Sequence, residues 1–123
     1  MKRLSDAFVA ECKSKLLDIK RQIMNRVRSG RAEFETLDRF GGDEADQTMS
    51  VQAEYEFLSN QYRLKDQLLE IEFALARIQD GRFGICEETD EPIEIERLRV
   101  LPWTRLSIEG AEIREATKKK YAR

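Results

Sequence analysis

The sequence predicts a mainly α protein: a long antiparallel coiled-coil helical hairpin, then a small globular zinc-finger-like region without zinc, closed by a C-terminal helix. Three observations lead there. Both prolines, Pro92 and Pro102, lie in the last third of the chain, so everything before Pro92 can hold uninterrupted helices. Apolar residues recur in steps of three and four through two long segments separated by Gly41-Gly42. Positions 86, 89, 107 and 110 then fit the spacing C-x2-C-x17-C-x2-C, but they hold Cys86, Thr89, Ser107 and Gly110.

The first helix is expected from about Ser5 to Phe40, with Ser5 as its N-cap. Phe8, Cys12, Leu16, Ile19, Ile23 and Val27, then Phe34 and Leu37, make one narrow stripe. Gly30 is a weak point inside it, and Gly41-Gly42 stops it, because glycine readily takes the left-handed conformation past a helix end. The second helix is expected from about Asp46 to Asp80-Gly81. Its stripe reads Val51, Tyr55, Leu58 and Tyr62, then Leu64, Leu68, Ile71, Leu75 and Ile78. The slip between Tyr62 and Leu64 has the form of a stutter. Two long helices joined by a short loop lie antiparallel, each ~50 Å long at ~1.5 Å per residue. The expected division is a hairpin over 1–80, with a tip loop at about 39–47, and a globular region over 81–123.

Past Gly81 the apolar residues become dense and irregular, from Phe83 and Ile85 to Trp103, Leu106 and Ile108. Ile93-Glu94-Ile95 alternates as a short strand would. Glu109 to Tyr121 reads as a last helix, and Lys118-Lys119-Lys120 suits its negative end. So small a core is marginal alone, so it is expected to lean on the hairpin base, with Trp103 as its main apolar residue.

Zinc in a structural site needs four ligands in a closed tetrahedron. One thiolate cannot supply them, and the chain has no histidine. The spacing therefore points to a zinc-finger ancestry while the residues argue against zinc. Cys86 is flanked by Glu87, Glu88 and Asp90, which should raise its thiol pKa and leave it structural. Cys12 falls on the apolar stripe and is expected in the core. Two cysteines of such different placing suggest a reducing cytoplasm rather than a disulfide framework. No apolar core follows Lys2-Arg3 as a secretory signal would have, and no run is long enough to span a membrane.

Charge is patterned. Residues 1–31 carry nine basic and three acidic side chains, whereas residues 32–60 carry one basic and eight acidic. An acidic hairpin end does not suit nonspecific nucleic-acid binding; it suits a cation or a basic groove. Enzyme classes find little support, since there is no nucleophile elbow or phosphate loop and a thin hairpin offers no closed pocket.

Phe83-Gly84-Ile85-Cys86, Ile93-Glu94-Ile95, Arg97-Leu98, Pro102 and Leu106-x-Ile108 together resemble the signature of the DksA/TraR family of bacterial transcription regulators. The resemblance runs from about residue 5 to the end. It implies a coiled-coil hairpin on a zinc-finger globule, binding RNA polymerase directly rather than a DNA sequence. It implies that the hairpin enters the secondary channel and that a D-x-x-D-x-A tip acts there, shortening the life of open promoter complexes. The matching tip residues are Asp43, Asp46 and Thr48, with threonine in place of alanine. Either aspartate also suits the start of a helix, as a cap or at its positive end. Asn60 and Arg63 match positions used near the polymerase rim.

The resemblance also implies a response to guanosine tetraphosphate (ppGpp), which this chain is expected to show weakly or not at all. Glu70 stands where a basic residue is implied, and Ala111 where a lysine is. The expectation is thus a zinc-independent, monomeric, cytoplasmic regulator of transcription initiation with no cofactor. Two alternatives stay open: a channel-binding antagonist of other secondary-channel factors such as the Gre proteins, and a helical scaffold without polymerase activity. The scaffold would dimerise through an exposed stripe.

Overall fold

The computed structural model describes residues 4–40 and 44–121, without the side chains of 37–40 and 44–49. Its elements are α1 (Asp6–Phe40), α2 (Glu44–Gln79), α3 (Ile95–Val100) and α4 (Ile108–Tyr121). Of the tip loop expected at 39–47, residues 39–40 belong to α1 and 44–47 to α2. Residues 41–43 lie outside the described ones. The chain forms two compact units. One comprises Met1–Asp18 with Glu70–Arg123, the other Ile19–Leu69.

In the first unit, Ser5 caps α1 as its sequence predicts: the Phe8 N–H donates to Ser5 Oγ at 3.1 Å. Phe8, Cys12, Phe83, Cys86, Ile93 and Leu98 make one buried cluster, against which Leu4, Val9, Ile78 and Leu106 pack. Residues from α1, α2 and the globular region thus share a core, which is the support the small globule was expected to need. Trp103 is only half-buried and lies outside that cluster. Its backbone carbonyl accepts from Arg77 Nη2 at 3.1 Å. Leu98, fully buried, takes the central place that the sequence reading gave to the tryptophan.

The expected strand at Ile93-Glu94-Ile95 does not form. An isolated antiparallel bridge joins Ile85 to Pro92, flanked by Cys86 N–H to Glu91 O at 2.8 Å and Ile93 N–H to Gly84 O at 2.8 Å. Pro92 has no N–H with which to extend the ladder. The chain instead turns into α3 at Ile95, with Leu98 N–H donating to Glu94 O at 3.0 Å. Ile93 is buried and Ile95 half-exposed, so their alternation marks the end of a loop and the start of a helix. Gly84, at φ 86°, closes this turn in a conformation other residues rarely adopt.

In the second unit α1 and α2 run antiparallel. Phe34 stacks on Phe57 with ring centroids 4.4 Å apart and planes within 9°. Gln61 Nε2 donates to the Val27 carbonyl at 3.3 Å, passing over Gly30, where a Cβ would stand 3.2 Å from that nitrogen. The inward face of α2 here is Ala53, Phe57, Gln61, Leu64 and Leu68, stepping by four, four, three and four. Val51, Tyr55 and Tyr62 are about two-thirds exposed, and Leu58 is exposed as well. The apparent stutter is therefore no change of winding. The sequence stripe joined an outer face (51, 55, 58, 62) to an inner one (64, 68, 71), because bulky apolar residues mark the outer face and Ala53 and Gln61 disguise the inner one.

Candidate functional site

The four positions with zinc-finger spacing come together at the start of α4. Ser107 is the N-cap: its Oγ accepts the Gly110 N–H at 3.0 Å and its carbonyl the Ala111 N–H at 2.8 Å. Glu94 adds both carboxylate oxygens to the Ile108 N–H, at 3.1 and 3.0 Å, and favours the positive end of the helix. Across from it runs the tight turn Cys86–Glu91. Asp90 N–H donates to Cys86 O at 2.9 Å, Asp90 takes a positive φ of 58°, and Glu91 N–H donates to Thr89 Oγ1 at 3.3 Å. Glu87 N–H donates to Arg105 O at 2.9 Å, tying the turn to the segment before α4.

Cys86 is wholly shielded from solvent and Ser107 nearly so. Burial pushes the Cys86 thiol up, but hydrogen bonds from the hydroxyls and backbones of Ser107 and Thr89 outweigh it and bring the pKa down to about 6. The sequence reading, which weighed the flanking carboxylates, had the opposite direction. Glu87 and Glu88 spend their charge elsewhere: Arg114 Nε donates to Glu88 Oε2 at 3.0 Å and Arg114 Nη2 stands 3.8 Å from Glu87 Oε2. Cys12, in the core as expected, has its thiol pushed up by burial and by Glu11.

Three arginines that the sequence reading passed over, or noted only as signature, hold the globular region together. Arg97 Nε donates to the Leu106 carbonyl at 2.8 Å. Arg77, whose pKa burial lowers, donates to the Trp103 and Thr104 carbonyls at 3.1 and 3.5 Å. Arg105 makes a two-bond fork with Glu70. A signal for the last existed in the opposite charges of 70 and 105, but nothing in the spacing joins them.

Of the expected tip residues, Asp43 lies outside the described residues. Asp46 and Thr48 belong to the first turns of α2, and their side chains lie outside the described ones. Asn60 and Arg63 are exposed one turn apart on α2, and Arg63 Nη2 donates to Asn60 Oδ1. Glu70 and Ala111 are half-buried.

The prokaryotic dksA/traR C4-type zinc finger family matches residues 81–116. The RNA polymerase-binding transcription factor DksA of Caulobacter vibrioides is 31% identical over 112 residues, spanning 91% of this chain and 79% of that protein. An uncharacterized protein of Aquifex aeolicus is 32% identical over 112 residues, spanning 89% and 77%. The structure of transcription factor DksA2 from Pseudomonas aeruginosa aligns with a TM-score of 0.86 at 30% identity, covering 94% of this chain and 88% of that one. A C4 finger implies zinc, and the residues here do not fit it. The four positions offer one thiol, two hydroxyls and a glycine without a side chain, not the thiolates and imidazoles of a closed tetrahedral site. Among the described residues no group of three or more His, Cys, Asp or Glu could hold a metal ion.

Proposed function

Because this chain belongs to the DksA/TraR family, we propose that it regulates bacterial transcription initiation by binding RNA polymerase directly. The acidic end of the hairpin enters the secondary channel and alters the stability of open complexes. The observation that carries this reading is the extent of the likeness. A relative named for polymerase binding is 31% identical along 91% of the chain, so the likeness reaches both long helices as well as the finger.

Long paired helices suit the task. A preformed helical element reaches a deep site without ordering a loose loop on binding. In the sequence, Asp43 and Asp46 put two carboxylates where the two long helical segments join. There they meet basic polymerase groups or the waters of a catalytic magnesium, which keeps its own hydration. Asn60 and Arg63, already hydrogen-bonded to each other, present a preset polar pair to the channel rim.

In this reading the regulator works without zinc, which its donor set does not fit, and as a monomer in the cytoplasm. Its response to ppGpp is weak or absent. Glu70 opposes an anionic ligand where the family pattern calls for a cation, and its partner Arg105 is committed to it. Thr48 in place of alanine keeps a second reading in play, that of a channel occupant which antagonises other channel factors. Open-complex lifetime at a ribosomal RNA promoter separates the two, since only the regulator shortens it.

A further inference from the structure

The positions that fail as a zinc shell satisfy one another. Cys86 Sγ, with no solvent exposure, shares the space beside Gly110 with Ser107 Oγ, and hydrogen bonding from Ser107 and Thr89 is the cause that lowers its pKa. Ser107 Oγ is fixed in turn by the Gly110 N–H at 3.0 Å. Donors converging on sulfur do part of what a cation does in such a site, since they satisfy a buried thiol and join the Cys86 turn to the start of α4. Gly110 contributes room. A Cβ built there would run into Cys86 Sγ and stand 3.3 Å from Ser107 Oγ and 3.4 Å from Glu88 Cβ. The Cys86 neighbour cannot give way as a long flexible side chain would, because it is a one-atom group on a fixed turn.

We propose that Cys86, Thr89, Ser107 and Gly110 form a metal-free latch in which the Cys86 sulfur fills the space that a fourth side chain would need. Gly110 is then a packing requirement of Cys86, and not only the loss of a ligand. This deepens the zinc-free part of the functional reading and rests on it. It has a consequence that a merely decayed finger lacks: positions 86 and 110 are coupled, and a single step back toward a larger residue at 110 is blocked while Cys86 stays.

The test is a double-mutant cycle on the full chain, read by thermal and urea unfolding, with zinc content measured on the same samples. Inside a helix alanine is ordinarily favoured over glycine. Here Gly110→Ala is expected to lower the melting temperature by several degrees. In the Cys86→Ala background the same change is expected to leave it unchanged or raise it, because the new methyl enters the space the sulfur left. Where Cys86→Ala does not fold, Cys86→Ser, with its shorter side chain, serves as the second background and should at least halve the effect of Gly110→Ala. A Gly110→Ala change that stabilises the unmodified chain, or that costs the same in both backgrounds, overturns the latch. Stoichiometric zinc retained through dialysis overturns the zinc-free reading and is seen separately from the outcome of the cycle.

Discussion

Glu70 and Arg105 meet as a fork: Arg105 Nε donates to Glu70 Oε2 and Arg105 Nη2 to Glu70 Oε1, each at 3.1 Å. The guanidinium lies 4.8 Å from the centroid of the Phe73 ring, and Glu87 Oε2 stands 3.9 Å from Nη1. A bidentate pair on an aromatic face is the favourable form of a salt bridge. Both side chains are still partly open to water, at 30% and 42% exposure, which screens the attraction. Glu70→Gln is therefore expected to cost about 1 kcal/mol in urea unfolding, within the range for such pairs. A cycle with Arg105→Gln should recover most of that cost as coupling. Glu70→Lys should cost more, because it sets two cations side by side.

The inner and outer faces of α2 should respond very differently to mutation. Phe57→Ala removes the ring stacked on Phe34 and should cost about 2 kcal/mol, less than a fully buried phenylalanine because the site is half-open. Tyr55→Ser and Tyr62→Ser touch side chains that are 71% and 66% exposed, and each should stay within about 0.5 kcal/mol. Melting curves of the three variants decide it. A large loss from the tyrosines would mean that they pack in solution.

Stability should rise with pH across the titration of Cys86. Its folded pKa, about 6, lies below the ordinary thiol range. Such a group adds stability that is fully present above the unfolded pKa and is lost as pH falls through the folded one. Cys12 has its pKa raised, so it stays neutral in both states below the ordinary thiol range and adds no slope there. Between pH 6 and pH 8 the chain should therefore gain more melting temperature than Cys86→Ser does. Parallel pH profiles for the two proteins would contradict the assignment.

The helices were legible because their signals are local. Ser5 reads as a cap and is one, and the α1 stripe from Phe8 to Phe34 is the face that packs. The inner face of α2 was not legible at Ala53 and Gln61. The sequence shows hydrophobicity, whereas that face depends on a stacked ring and on an amide reaching across Gly30 to a carbonyl. The finger positions were found by spacing alone. Their chemistry was misread at Cys86 because its nearest sequence neighbours are carboxylates, while its partners in space include a hydroxyl from residue 107. Arg77 and Arg105 were missed because their partners lie 26 and 35 residues away, and pairings at such distance leave no pattern in a single sequence.

The central claim, control of transcription initiation through the polymerase channel, is tested most directly by open-complex lifetime at a ribosomal RNA promoter, using the polymerase of the host bacterium. The unmodified chain is expected to shorten that lifetime. Asp46→Asn, which removes the charge at nearly constant side-chain size in the first turn of α2, is expected to bind polymerase with unchanged helix content and to lose the effect. An unchanged lifetime with the native chain, or an Asp46→Asn variant as active as the native chain, would contradict the account.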